Sequence, residues 1–490
     1  FVLDRGGKVF KQSAPIIKLP ETATEEDHLA LLAYLNSSTA CFWMKQVCHP
    51  KGVATRDAMT PENNRYEFAG TAMLPLPVPP GLSCHEPLLV LAKQMEALAS
   101  ERDNCRPATV IAAEDRWSDS ESLRAALAKA EHREQEIFER MVATQEEIDW
   151  EVYRLFGLVD APSVDASAGC VPEQRPFMWE GGKPAHPLPG ALADAYAKRH
   201  EATKAHASLA AIENPTMKRL WRGVSGESGR YGTTFEDEAR LAAQDWLGDQ
   251  LEQSAATASE VIQLRDFANA ARGDRLAAAM SLAEVKLENL LDDEAVPFLT
   301  ALTYSPSGLE KRREWERVWE LQRREDGGES VEIPVPPKYS QGSRGKATDF
   351  ADTRFWRLRG KLDVPKERFI SYPGCESDED GEPVYGWAGW DHTQRAQALV
   401  ALYQDRKTRE GWEADRLTPM LAGLLEFLPW LKQWHDEPMP DFDTTFFEAY
   451  DAFLENELRE LSLTRDDLRA WRPAEKKKGR RRAAARKEKP

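Results

Sequence analysis

The chain has 490 residues, of which 41% are hydrophobic and 30% charged, and its formal net charge is -17 at pH 7. This composition is typical of soluble globular proteins and excludes a mostly disordered chain. The length predicts two to four domains, and no apolar run is long enough to span a membrane. Six cysteines without any Cys-x-x-Cys pair indicate a reducing cytoplasm.

The charge is distributed unevenly along the chain. Residues 473–490 contain nine lysines or arginines against two glutamates, so the rest of the chain is more acidic than the total suggests. Such a tail is predicted to be disordered. It suits contact with phosphate groups, and it equally suits a solubilising end without a specific partner.

Helices are predicted early in the chain. Thr24 and Asp27 have the spacing of a capping box, so a helix should begin there and end near an Asn36–Ser37 turn. A second short helix should carry Trp43. Residues 49–66 are polar, contain glycine and proline, and predict a surface loop.

Two longer helices follow. Leucines and a methionine recur every three or four residues from Leu88 to Leu98, and a longer apolar stripe covers about 117–157, with Gly157 as its stop. Two such helices in succession predict an antiparallel hairpin. It could separate two modules or belong to one bundle.

Prolines and glycines concentrate in residues 160–190, which predicts a linker and a domain boundary. Alanine-rich helices are expected up to about residue 330. Beyond that point the sequence becomes rich in tryptophan, and three more helices are predicted near 392–410, 417–434 and 444–461.

No nucleotide-binding glycine loop, GxSxG elbow or HExxH helix occurs in the sequence. Cys41, Cys48 and His49 lack a fourth ligand at zinc-like spacing, so no metal site is predicted. The adjacent Glu146 and Glu147 are expected on a solvated helix face. The residues alone therefore predict no catalytic constellation.

A basic segment is the main positive feature. Between Arg344 and Arg368 there are eight cations against four acids, with Phe355 and Trp356 among them. Guanidinium groups beside aromatic rings suit phosphate contact with base stacking. The alternative is a sheet with a basic outer face and the aromatic rings in its core. A smaller basic patch lies near the N-terminal loop and comprises Lys45, Lys51 and Arg56.

Three segments of the first 160 residues resemble a known recognition region. LLAYLNSSTACFWMKQVCHPKG at 31–52 and YEFAGTAMLPLPVPP at 66–80 resemble the start of the target-recognition region of large bacterial adenine-specific DNA methyltransferases. QEEIDWEVYRLFGL at Gln145–Leu158 resembles the helix that closes this region.

The second half is similar to the C-terminal region of the PglX family, the methyltransferases of type 2 bacteriophage-exclusion, or phage growth limitation, systems. Five segments carry this similarity in order: Ser307–Asp326, Ile333–Tyr339, Arg354–Gly374, Tyr385–His392 and Leu428–Glu437. The resemblance covers nearly the whole chain.

The family's catalytic half carries an [N/D]PP[Y/F] tetrapeptide that holds the target adenine and a glycine-rich motif for S-adenosylmethionine. Neither occurs here, since Asn214-Pro215-Thr216-Met217 lacks the second proline and the stacking aromatic residue. The resemblance therefore implies the recognition and accessory portion of such an enzyme without its catalytic domain. No catalytic residue and no cofactor are assigned to this chain, and S-adenosylmethionine is implied for the catalytic domain.

The expected fold is α+β and mostly helical. It would consist of a small mixed recognition module with a long helical hairpin, a linker, a helical accessory domain, a Trp-rich mixed C-terminal domain and a basic disordered tail. The respective ranges are 1–158, 159–189, 190–330, 331–472 and 473–490.

The resemblance also implies DNA contacts. Loops near residues 36–66 would contact base edges, and the basic segment and tail would contact phosphate groups. The candidate residues are Asn36, Ser37, Lys45, Lys51, Arg56, Arg354, Arg357, Arg359, Lys361, Lys366 and Arg368.

Duplex DNA, an upstream methyltransferase domain and other phage-defence proteins are the expected partners, in the cytoplasm and without a membrane. The alternative hypothesis is a non-enzymatic protein-interaction scaffold of a phage-defence complex. The acidic body of the chain favours this alternative, because it would repel duplex DNA.

Overall fold

The structure is a computed structural model that describes most of the chain. The described residues are 1–5, 16–50, 66–68, 70–160, 163–215, 217–218, 234–270, 274–303, individual positions between 309 and 332, 368–435, 437–439 and 443–473. The chain divides into two compact units, residues 1–243 and 244–490. The prediction of a mostly helical α+β fold is confirmed.

The first unit is built around helices. Its elements are α1 (Glu25–Leu35), α2 (Ser38–Val47), β1 (His49–Pro50), β2 (Tyr66–Glu67), α3 (Gly70–Met73), α4 (Glu86–Asp103), α5 (Pro107–Ala112), α6 (Ser120–Leu155), α7 (Gly190–Ala205) and α8 (Ala207–Ile212). Helix α1 begins with the predicted capping box, in which Asp27 N–H donates to Thr24 Oγ1 at 3.2 Å and Thr24 N–H donates to Asp27 Oδ2 at 2.8 Å.

Helices α4 and α6 form the predicted antiparallel hairpin. Arg102 contacts Glu134 at 2.7 Å near one end, and His85 contacts Glu151 at 2.8 Å near the other. Helix α6 has 36 residues and spans about 54 Å. It ends as predicted at Gly157, whose φ of +67° suits glycine.

The second half of α6 is enclosed on every side. All residues from Met141 to Tyr153 are buried, including the polar and charged ones. One side packs against a core of α1, α2 and α4, and another packs against Ala166, Cys170 and Tyr196. Helix α6 is therefore the central helix of this unit.

Residues 163–189 differ from the predicted linker. Their two short 3-10 turns, Pro172–Gln174 and Pro176–Met178, pack with their neighbours beside α6, and Arg175 is only 1% exposed. Proline and glycine restrict local backbone conformation but leave tertiary packing open, so their density did not reveal that this segment is part of the core.

The second unit combines a small sheet with long helices. Helix α9 (Phe235–Ala256) crosses the division between the units and is followed by β3 (Ile262–Gln263), α10 (Leu264–Ala270), α11 (Asp274–Ala283), α12 (Leu287–Asp293), β4 (Ala295–Pro297), α13 (Thr300–Thr303), β5 (Phe369–Ser371), β6 (Val384–Trp387), α14 (His392–Thr408), α15 (Ala414–Trp434), α16 (Phe446–Leu461) and α17 (Arg465–Ala470). The helices predicted near 392–410, 417–434 and 444–461 are confirmed as α14, α15 and α16.

The sheet has the strand order β3-β6-β5-β4, in which β5 pairs parallel with β4 and antiparallel with β6. Strands β3 and β4 come from the predicted helical domain, whereas β5 and β6 come from the predicted Trp-rich domain. One sheet therefore joins residues on both sides of the expected boundary at 330. Strands of two to four residues carry too little pattern to be predicted locally.

Gly423, inside α15, permits a close helix contact in the core of this unit. A Cβ atom there would lie 2.8 Å from Phe298 Cε2 and 3.1 Å from Leu399 Cδ2. Gly423→Ala is expected to lower the free energy of unfolding by about 1–3 kcal/mol through overpacking, measured by denaturant unfolding. Phe298→Leu in the same chain should recover part of this loss, and strictly additive losses would contradict the close contact.

Candidate functional site

Two of the segments that resemble the recognition region meet in the first unit. Ser38 begins α2, and its backbone N–H and its hydroxyl each donate a 2.7 Å hydrogen bond to Asp149 of α6. Gln145, one turn earlier on α6, donates to the Asn36 carbonyl oxygen at 3.3 Å. The start of α2, where helical N–H groups lack intrahelical partners, is therefore satisfied by α6.

Two cations from the segment after α6 contact the same carboxylates. Arg175 Nε lies 2.7 Å from Glu146 Oε2, and its Nη2 lies 3.0 Å from Asp149 Oδ2. Lys218 Nζ lies 3.1 Å from Glu146 and 3.3 Å from Asp149, and it also donates to Glu213. This acidic turn of α6 thus binds Arg175, which lies 26 residues after Asp149, and Lys218, which lies 72 residues after Glu146.

A third cation, Arg199 of α7, binds the neighbouring carboxylate. Its two terminal N–H groups each donate to Glu147 at 2.6 Å, and the Val164 backbone N–H adds a bond of 2.9 Å. The guanidinium also lies 5.1 Å from the centre of the Trp150 ring. This is the bidentate geometry that makes arginine–carboxylate pairs strong.

We call these charged side chains, together with Tyr153, the buried ionic network. Its members are Glu146, Glu147, Asp149, Tyr153, Arg175, Arg199, Glu213 and Lys218. No charged side chain among them is more than 3% exposed. The expectation that Glu146 and Glu147 lie on a solvated face is therefore wrong, because this half of α6 is surrounded by protein.

The surroundings separate the pKa values of two carboxyl groups in the network. Burial alone would raise the pKa of Glu146, but Lys218, Arg175 and Arg199 outweigh it and hold this pKa below its usual range. For Glu213, burial dominates over the attraction of Lys218, and its pKa is raised. As the pH falls, Glu213 therefore takes up a proton before Glu146 does.

The phenol of Tyr153 adds to the same part of the network. It donates to Glu213 Oε1 at 2.5 Å, and burial raises the pKa of the phenol well above its usual value. Tyr153 is therefore a fixed hydrogen-bond donor at neutral pH. With its members shielded from solvent, the buried ionic network holds segments together and offers no open surface to a substrate.

The structure places the predicted DNA-contact residues in different environments. Ser37 is fully buried, and its hydroxyl caps α2 by accepting from Ala40 N–H at 3.3 Å, so it is corrected from a DNA contact to a helix cap. Asn36 is partly exposed and donates through Nδ2 to the carbonyl oxygens of Phe1 and Leu32.

Lys45 lies in the last turn of α2. It is half-buried, and its Nζ donates to the Met217 carbonyl oxygen at 2.7 Å. Helix α2 is therefore bound at its last turn by the residue that precedes Lys218 of the network.

A short antiparallel ladder follows α2 directly. His49 pairs with Glu67 and Pro50 pairs with Tyr66, so the ladder joins the described residues on either side of segment 51–65. Lys51 and Arg56 belong to this segment and lie outside the described residues. The basic residues Arg354, Arg357, Arg359, Lys361 and Lys366 also lie outside the described residues.

Arg368 is corrected from a DNA contact to a buried anchor. Its side chain is 1% exposed, with Nη1 2.5 Å from Asp249 Oδ1 and Nε 2.9 Å from Glu294 Oε2. Gly248 of α9 makes room for it, because a Cβ there would lie 2.8 Å from Arg368 Nη1. The guanidinium is therefore occupied by carboxylates and shielded from any phosphate group.

Sequence reasoning missed the cations Arg175, Arg199 and Lys218 entirely. Their partners are 29, 52 and 72 residues away, so no local pattern connects them. The signal on the acidic side was the pattern of Ile148, Trp150 and Val152 alternating with acids. Apolar residues spread around a whole helix indicate enclosure on several faces.

Two kinds of site are not found in the part of the chain that the structure describes. No three or more His, Cys, Asp or Glu side chains converge there as metal ligands would. Among the described helices, none combines the length and apolar character needed to cross a bilayer.

Residues 172–482 match the family described as domain of unknown function DUF7008, and the chain belongs to this family. Over 546 aligned residues it is 35% identical to the adenine-specific methyltransferase PglX of Streptomyces coelicolor (strain ATCC BAA-471 / A3(2) / M145). The match covers 99% of this chain and 42% of PglX, in the C-terminal portion of that protein. The predicted resemblance is thereby confirmed. No solved structure matches the chain.

Proposed function

We propose that this chain is the DNA-recognition and accessory portion of an adenine-specific (N6) DNA methyltransferase that acts against bacteriophages in the cytoplasm. The observation that carries the proposal is the similarity of 99% of the chain to the C-terminal portion of PglX. The meeting of the Asn36–Ser38 turn with Asp149 supports it, because segments that resemble the two ends of one recognition region also form one packed module.

Within this proposal, recognition and chemistry reside in different parts of the enzyme. Residues 51–65, for which the sequence predicts a loop, would contact base edges together with Asn36 and Lys45. The basic segment from Arg354 to Lys366 and the tail would contact phosphate groups. S-adenosylmethionine would supply the methyl group in the methyltransferase domain. The partners of this portion would be that domain, duplex DNA and other defence proteins.

Ion pairs of arginines in the described residues support the assignment of phosphate contacts to the basic segment and the tail. Arg102, Arg133, Arg265 and Arg416 each contact carboxylates at 2.9 Å or less. Such residues contribute little free charge for a polyanion. Phosphate contact should therefore depend on the basic segment and the tail rather than on these arginines.

The double substitution Arg357→Ala and Arg359→Ala tests the phosphate assignment. Each phosphate contact contributes about 0.9 to the slope of log affinity against log salt concentration, so this slope should become shallower by about 2. Fluorescence anisotropy of a labelled duplex at several salt concentrations measures it with the full chain.

Arg416→Ala is the matched control, because that guanidinium already contacts Asp378 at 2.6 Å. It should leave the salt slope unchanged. An unchanged slope in the double variant would remove Arg357 and Arg359 from the proposal. Absence of salt-dependent DNA binding by the unsubstituted chain, with retention of a partner protein, would favour the scaffold hypothesis instead.

A further inference from the structure

We infer that the opening segment of the DUF7008 domain, Pro172–Lys218, is a brace that positions helix α2 and so contributes to the choice of DNA sequence. This inference rests on the proposed function. The family match begins at residue 172, and all three cations of the buried ionic network lie within this segment. Three of the four carboxylates belong to α6, so the opening segment of the DUF7008 match completes the core around this helix.

The brace and helix α2 share one carboxylate. Asp149 accepts from the Ser38 N–H and hydroxyl at 2.7 Å, and it accepts from Arg175 at 3.0 Å. Arg175 therefore helps to fix the carboxylate that defines where α2 begins. A substitution at Arg175 can therefore shift the start of α2 through the side chain of Asp149 alone.

The brace also contacts the other end of α2. Met217, directly before Lys218, accepts from Lys45 Nζ at 2.7 Å, and the Cys41 thiol lies 3.8 Å from the same carbonyl oxygen. The brace thus acts on the start of α2 through Asp149 and on its last turn directly. A helix bound at both ends has a defined tilt and register.

The position of α2 determines the position of the short ladder that follows it. Helix α2 ends at Val47, and the ladder between His49–Pro50 and Tyr66–Glu67 begins two residues later. Hydrogen bonds to base edges depend steeply on distance and angle, so a small tilt of α2 would weaken base contacts made from Asn36, Lys45 or the ladder. Phosphate contacts through long flexible side chains would tolerate the same shift.

Two matched substitutions separate positioning from simple stabilisation. Arg175→Met and Arg199→Met each remove one buried guanidinium from the brace, but Arg175 alone of the two contacts Asp149, whereas Arg199 binds Glu147. The full chain would first be used to select a preferred duplex from a randomised pool. The affinity ratio for that duplex over a scrambled one is then measured for each variant, with circular dichroism to confirm folding.

Arg175→Met is expected to reduce this affinity ratio about tenfold, comparable to the loss of one base contact, while Arg199→Met retains it. Ser38→Ala leaves every ion pair intact, removes one bond to Asp149 and should reduce the ratio in the same direction, which tests the inference even if Arg175→Met fails to fold. Unchanged ratios in the folded Arg175→Met and Ser38→Ala variants, or equal reductions in both arginine variants, would overturn the brace. Failure of the unsubstituted chain to enrich any duplex would instead overturn the proposed function, and the brace with it.

Discussion

Glu146→Gln is expected to lower the free energy of unfolding of the first unit by about 3–5 kcal/mol, because breaking a buried pair leaves an uncompensated charge. The amide keeps the shape of the side chain but removes the negative charge that faces Arg175 at 2.7 Å and Lys218 at 3.1 Å. Both cations stay buried with fewer carboxylates to neutralise them. Chemical denaturation followed by circular dichroism measures the loss.

Glu213→Gln is the matched control in the same network, and it should lower the free energy of unfolding by less than Glu146→Gln does, because burial favours the neutral form of Glu213, which an amide resembles. The pKa of Glu213 is raised in the folded protein, so between the unfolded and the folded pKa the native state binds more protons than the unfolded state. The free energy of unfolding therefore falls as the pH rises through this window. Glutamine removes that dependence.

The two variants are best compared over a pH range that begins near the ordinary pKa of a glutamate side chain, about 4.3, and extends upward from there. The stability of the unsubstituted chain relative to Glu213→Gln should decrease as the pH rises and then level off. The deficit of Glu146→Gln should persist across this range, because the pKa of Glu146 is held below its usual value. Equal losses in both variants at every pH would contradict the opposite pKa shifts of the two groups.

Arg368→Met is expected to lower the free energy of unfolding of the second unit by about 2–4 kcal/mol. The substitution removes a charge-assisted hydrogen bond to Asp249 and an ion pair with Glu294, and it leaves these carboxylates to repel each other. Added salt should recover part of the loss by screening this repulsion. Denaturant unfolding at two salt concentrations measures both effects.

Arg265→Met provides the control, because its side chain is 50% exposed and contacts Asp380 at the surface. Its loss should stay below about 1 kcal/mol. A similarly small loss for Arg368→Met would mean that Arg368 is not an anchor, and its assignment as a DNA contact would have to be reconsidered.

Local physical chemistry was sufficient to predict most helices. The capping box at Thr24, the stop at Gly157 and the apolar stripes of α4, α6 and α14 to α16 each depend on residues within a few turns. The sheet of the second unit could not be predicted in the same way. Ile262 pairs with Tyr385, more than 120 residues away, and two-residue strands have no detectable periodicity.

The candidate site was predicted only in outline. The motifs around Asn36 and Asp149 indicated a recognition region, but their contact with each other depends on how α1, α2 and α6 pack. Arg368 and Ser37 carry side chains that suit DNA, yet burial assigns the first to an acidic cluster and the second to a helix cap. Residue type defines what a side chain can bind, and burial defines whether it is available.

The sequence by itself determined the helical character of this protein, its long hairpin and its relationship to the C-terminal portion of PglX, because these depend on local pattern and on ordered motifs. Only the tertiary structure decided that Glu146, Glu147 and Asp149 are enclosed, and that Arg175, Arg199 and Lys218 neutralise them. Such pairing is required in the low-dielectric interior, because a buried charge without an opposite charge nearby strongly destabilises the folded state. Such partners are set by the fold and can lie at any separation along the sequence.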